Sequence, residues 1–151
     1  MDEHIYKRHN KTLLLYHLVF PAKYRREVFT DEVEESLKRV CVGISLRYEI
    51  NFLEIGLESD YVHLLVQSVP LMPVSTIVAT IKSITAREIF RMHKEVKNKL
   101  WGGSLWTSGY YANTVGLYAS KDVILKYIAE QGKTAQAEYK KLYDGQLRFD
   151  F

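Results

Sequence analysis

The stretch from Asp60 to Gln67, Asp-Tyr-Val-His-Leu-Leu-Val-Gln, does most to limit what this chain can fold into. It is apolar and rich in β-favouring residues, with an acid before it and a Gln-Ser-Val-Pro exit, so it reads as a short buried strand. Residues two apart in a strand point the same way. Tyr61, His63 and Leu65 therefore share one face, and Val62, Leu64 and Val66 share the other. A phenol and an imidazole stand side by side on one wall of a greasy segment. Such a pair can serve a metal ion or a phosphate, and it can equally be a hydrogen-bonded core pair.

The elements around this strand follow from periodicity. Residues 1–10 are polar and are expected to form a flexible arm. Thr12 to Phe20 reads as a strand, closed by Pro21 and a basic turn carrying Lys23, Arg25 and Arg26. Thr30 or Asp31 can cap a helix whose apolar positions are Val33, Leu37, Val40, Cys41, Ile44 and Leu46 to Tyr48. Asn51 to Leu57 is the next strand, joined through Glu58-Ser59-Asp60 to the central one as a hairpin. Pro73 suits the first turn of a second helix, with Val74, Ile77, Val78, Ile81, Ile84, Ile89 and Met92 as its buried stripe. Lys82, Arg87, Arg91 and Lys94 fall largely off that stripe. A Trp-Gly-rich loop over 99–109 leads to a strand over Tyr110 to Val115, and Ser120 caps a third helix over Lys121 to Gln131.

The order β-α-β-β-α-β closes as one antiparallel sheet with two helices on one face. The expected fold is α+β and ferredoxin-like, with an added C-terminal helix, in a single domain over 1–151. At 151 residues with 47% hydrophobic content, the chain can bury a core without disulfides, and its one cysteine, Cys41, fits a reducing compartment. The opening Met1-Asp2-Glu3-His4 is acidic and no apolar run approaches a membrane span, so a cytoplasmic protein without membrane contact is expected. A net charge of +3 is too small to argue for nucleic acid by itself, but the basic residues are segregated from the acids of Asp31 to Glu35.

On the added helix, Val123, Ile124, Tyr127, Ile128 and Gln131 lie on one face. If that face packs near His63, a phenol, an imidazole and an amide oxygen meet. The set suits attack of the phenol on a phosphodiester, with imidazole and amide holding a divalent ion against the phosphate. Mg²⁺ or Mn²⁺ suits mixed oxygen and nitrogen ligands.

With these residues assembled, the chain resembles the single-tyrosine HUH transposases of the smallest bacterial and archaeal insertion sequences. The likeness runs from Leu15 to Gln131. It is carried by Tyr16-His17-Leu18-Val19-Phe20, Lys23-Tyr24-Arg25-Arg26, Asp60-Tyr61-Val62-His63-Leu64-Leu65, the segment Trp106 to Gly116 and Tyr127-Ile128-Ala129-Glu130-Gln131. The resemblance implies a homodimer that binds single-stranded DNA, recognises hairpins at the element's ends, and cleaves through a 5′-phosphotyrosine. It implies Tyr127 as nucleophile, His63 as the second histidine of the HUH strand and Gln131 as third metal ligand, with the tyrosine helix able to act in trans. Tyr61 stands where the family has its first histidine, and a phenol with a free pKa near 10 is a poor Mg²⁺ ligand. The alternative is a family member without catalysis that binds single strands or hairpins. In either case the expected DNA contacts are Lys23, Arg25, Arg26, Lys82, Arg87, Trp101 and Trp106, each with solvated surface or local packing as its competing explanation.

Overall fold

Residues 4–100 and 102–114 are described in a computed structural model. Its frame is a four-stranded sheet built from β3 (Leu14–Pro21), β4 (Asn51–Leu57), β5 (Tyr61–Ser68) and β6 (Tyr111–Thr114). A small hairpin precedes it, β1 (Ile5–Tyr6) paired with β2 (Lys11–Thr12), so the polar N-terminal stretch takes part in a two-stranded sheet. The large sheet runs β4-β5-β3-β6 with every neighbouring pair antiparallel. This is the ferredoxin-like order: the first and third core strands lie in the middle, and the other two form the edges.

Helices α1 (Asp31–Arg47) and α2 (Val74–Met92) cover one face. Thr30 caps α1 by accepting a hydrogen bond from the Val33 amide at 3.3 Å, and Asp31, Glu32 and Glu34 set negative charge on its first turn. Val33, Leu37, Cys41 and Ile44 form its buried stripe, whereas Leu46, expected on that stripe, is exposed. Pro73 caps α2 from just outside the helix, its carbonyl accepting from the Ile77 amide. Ile77, Val78, Ile81 and Ile89 point down onto the sheet. They meet Leu18, Phe20, Val62, Leu64 and Val66, the alternate residues of β3 and β5. Each such side chain contributes about 1.5–3 kcal/mol on burial. A third, short helix, α3 (Lys94–Lys99), follows α2 where the sequence suggests only the second helix and its exit, and buried Val96 anchors it.

The pairing of β4 with β5 contains one extra residue. Phe52 opposes Val66, but Glu54 rather than Leu53 opposes Leu65. This bulge keeps Phe52, Ile55 and Leu57 together on the helix-covered face, while Glu54 and Gly56 turn to the other. Without it, a strand beginning at Phe52 would put Ile55 on the wrong side. The basic turn after β3 is tightly wound: Tyr24 and Arg25 both take left-handed backbone, with φ of 57° and 53°. Non-glycine residues reach that region at a cost of roughly 1–2 kcal/mol each. Three hydrogen bonds offset it here: Ala22 N–H to Asp60 O, Lys23 N–H to Leu105 O, and Arg25 N–H to Ala22 O.

Candidate active site

The sheet's second face carries the polar residues. Along β5 the alternation is as the sequence requires: Val62, Leu64 and Val66 enter the core, while Tyr61 joins a separate cluster with Val19 and Tyr111. His63 lies on that same side, and all eight residues of β5 are buried. Directly opposite on β4 is Gly56. The edge of the His63 ring rests over it so closely that a Cβ there would collide with Cε1 and Nε2. Here glycine is required by approach, and the bulge at Leu53 is what delivers it to this register.

On the other side of β5, Val19 of β3 opposes His63, and His17 lies one diagonal step away on the same face. The two imidazole centres are 6.1 Å apart at an interplanar angle of 68°. His17 also meets Tyr111 of β6 edge-on at 6.4 Å, and Asn113 donates from Nδ2 to the Tyr111 hydroxyl at 3.2 Å. Three strands thus place His17, Tyr61, His63, Tyr111 and Asn113 on one wall.

Electrostatics sets their protonation. Burial lowers His17 to about 4, with the neighbouring His63 adding to the effect. Burial also lowers His63, opposed by the carboxylates of Glu58 and Glu54. Both rings are therefore neutral at pH 7, each with one nitrogen lone pair. His63 Nδ1 is buried and has no hydrogen-bond partner among the described residues. Tyr61 moves the opposite way: burial first, then Glu58 and Asp60, push its phenol up to about 12. It stays protonated at neutral pH and is a poor cation ligand. Among the described residues no three His, Cys, Asp or Glu side chains gather closely enough to hold a metal ion. The two imidazoles, with neutral lone pairs and one orphaned buried nitrogen, are nonetheless a donor set that fits a divalent ion. Tyr127 and Gln131, expected as nucleophile and third ligand, lie outside the described residues, as does Trp101.

The other sequence-predicted residues are distributed differently from expectation. Trp106 is a core residue: its ring stacks on Phe29 at 5.4 Å, and Nε1 donates to Thr85 Oγ1 at 2.9 Å. At 6% exposure it is not available to stack a base, which corrects the expected DNA contact. Lys82 turns inward, Nζ donating to the carbonyls of Thr107 at 2.8 Å and Gly109 at 2.7 Å, and burial lowers it to about 8. Arg25 forms an ion pair with Asp60, Nη2 to Oδ2 at 2.9 Å, bracing the strained turn. Lys23 is half-buried with its ammonium over the Tyr24 ring, and Arg26 is exposed beside them. Arg87 is exposed as expected, and it lies on a groove of about 270 Å³ between α1 and α2 that Arg39, Arg47 and Arg91 also line.

Two further groups resemble catalytic machinery and are structural. His93 Nε2 lies 2.7 Å from Ser36 Oγ and Nδ1 lies 3.1 Å from Glu95 Oε1, a serine–histidine–carboxylate chain. Ser36 is buried within α1 at 3% exposure, so no substrate reaches it, and the chain braces α1 against the α2–α3 junction. Cys41 is buried, which pushes its thiol up to about 12 and leaves it inert. His17 is the site residue that sequence reasoning passed over. Its signal was its place in Tyr16-His17-Leu18, facing opposite to the core residues Leu18 and Phe20, but proximity to His63 emerges only from strand order and register.

An antiparallel ferredoxin-like sheet thus carries two buried histidines, two tyrosines and an asparagine on the face opposite its helices. The family described as Transposase IS200 like matches residues 10–131. The ISDra2 transposase TnpA of Deinococcus radiodurans is 34% identical over 118 residues, 78% of this chain and 84% of that one. The transposase for insertion sequence element IS200 of Salmonella typhimurium is 32% identical over 128 residues, covering 82% and 80%. A crystal structure described as a transposase from Deinococcus radiodurans R1 superposes with a TM-score of 0.69 at 31% identity, covering 84% of this chain and 97% of that one. The chain belongs to the IS200-like transposase family.

Proposed function

We propose that this chain is a DNA transposase that cuts and rejoins single strands with Tyr127 as its nucleophile, on the sheet face that carries His63. The observation that carries the reading is the pair of buried, neutral imidazoles on one face, in a chain whose family match extends through Tyr127 and Gln131. The Tyr127 phenol oxygen attacks phosphorus. The bond to the 3′-oxygen breaks, a free 3′-hydroxyl leaves, and a 5′-phosphotyrosine conserves the bond energy for rejoining. His63 and Gln131 would hold a divalent ion, Mg²⁺ or Mn²⁺, which when bound supplies Lewis-acid polarisation of a non-bridging phosphate oxygen. Burial of His63 lowers the local dielectric and strengthens the charge interactions made there.

The substrate would be single-stranded DNA with hairpins at the element's ends, bound by a homodimer. Arg26 and the arginines of the α1–α2 groove are the exposed cations suited to its phosphates. Dimerisation through an edge strand of the sheet is compatible with the exposed Ala112 and Thr114 of β6. A second reading, a strand- or hairpin-binding protein without catalysis, is favoured by one observation: the residue at the first ligand position, Tyr61, is held protonated.

The test is a denaturing gel for covalent protein–DNA adduct on single strands from the element's ends, with Mg²⁺, Mn²⁺ or EDTA. A metal-dependent adduct in wild type, absent in Tyr127→Phe at equal DNA affinity, supports the transposase. A retarded native complex with no adduct under any metal means a binding protein.

A further inference from the structure

We infer that His17 and His63 together hold the divalent cation of this chain, His17 supplying from the neighbouring strand the imidazole that Tyr61 does not. The inference rests on the transposase reading for its purpose, but its geometry stands apart from it.

The β3–β5 register fixes the pair. Val19 opposes His63 and Leu65 opposes His17, so the two histidines are diagonal neighbours on one face. Diagonal side chains on antiparallel strands are roughly 7–8 Å apart at the backbone, within reach of long or aromatic groups. A first-row ion sits about 2.1 Å from each imidazole nitrogen, so rings sharing it have centres roughly 5–6 Å apart. The observed 6.1 Å lies just beyond that span, so the two rings need to approach slightly to share an ion. His63 offers a nitrogen, Nδ1, that is buried with no hydrogen-bond partner among the described residues, in a side chain only 7% exposed. A polar atom so placed is costly to bury unless something engages it. The ring cannot retreat over β4, because it already rests against Gly56.

Donor chemistry then sets ion preference. A pair of imidazoles suits Mn²⁺ and later first-row ions better than Mg²⁺, which prefers oxygen ligands and gives up water reluctantly.

The experiment measures Mn²⁺ binding to the full chain by loss of the free-ion EPR signal, in wild type, His17→Phe, His63→Phe and Tyr61→Phe. Phenylalanine keeps ring volume and removes the lone pair. Expected are a loss of about tenfold or more in affinity for His17→Phe and for His63→Phe, and wild-type affinity for Tyr61→Phe. If His17→Phe does not fold by circular dichroism, His17→Gln replaces it, and the Mn²⁺-over-Mg²⁺ preference is then expected to fall. Wild-type affinity in the His17 variant, no Mn²⁺ binding in wild type, or weakening by Tyr61→Phe instead would each overturn the inference. An adduct on DNA with Mn²⁺ binding indifferent to His17 would leave the transposase standing without this site. Loss of Mn²⁺ binding in His17→Phe with no adduct in wild type would do the reverse.

Discussion

Gly56 and His17 carry the sharpest consequences of the second sheet face. Gly56→Ala drives a Cβ into the His63 ring edge. The ring must rotate away or the strands part, at about 1–3 kcal/mol. Thermal denaturation should show the lower midpoint, and Mn²⁺ binding should fall with it; an unchanged midpoint would mean the ring moves freely. His17 gives stability a pH dependence. Its folded value of about 4 lies below the ordinary 6.5, so the unfolded chain takes up the proton first as pH falls. Its contribution is fully present above pH 6.5 and is lost progressively down to pH 4, by roughly 3 kcal/mol in all. Urea unfolding at pH 7 and pH 4.5 should show that loss, and His17→Phe should flatten it. Neither residue stood out in the sequence. Gly56 was one glycine in a strand, and His17 was one histidine in an apolar run until register brought it to His63.

At the level of elements, strand and helix identity followed from hydrophobic period and caps, because those signals are local. The alternation Tyr61-His63 against Val62-Leu64 and the Thr30 cap both come from neighbours in sequence. What was not legible depends on distant partners. The bulge at Leu53 arises because Phe52 and Ile55 must reach the same core, and Trp106 is buried because Phe20, Phe29 and Thr85 surround it. Lys82 is the clearest case, a helix cation expected to face solvent or ligand that instead ties the 107–109 loop to α2. Lys82→Met should destabilise the fold by about 2 kcal/mol, since charge-assisted hydrogen bonds to those carbonyls are lost. It should leave the salt dependence of DNA binding unchanged. A phosphate contact at Lys82 would instead lower that slope by about 0.7 for single strands.

For the whole molecule, the sheet separates two kinds of surface. Helices α1 and α2 bury one face and open an arginine-lined groove on their outer side, while β3, β5 and β6 turn histidines and tyrosines to the other. If, as proposed, the groove holds DNA and the histidines carry the chemistry, the two functions are separable. Arg39→Ala with Arg87→Ala should weaken DNA binding and lower the salt slope by roughly 1–2 while Mn²⁺ affinity stays as in wild type. Equal loss of both would show the two faces are coupled. The most direct test of the catalytic assignment is adduct yield against Mn²⁺ concentration for wild type and His63→Ala on the element's own single strands. If the His63 face is the active site, wild type forms adduct with a saturable Mn²⁺ dependence and His63→Ala forms little or none at any concentration. Equal adduct in both proteins would place the chemistry elsewhere.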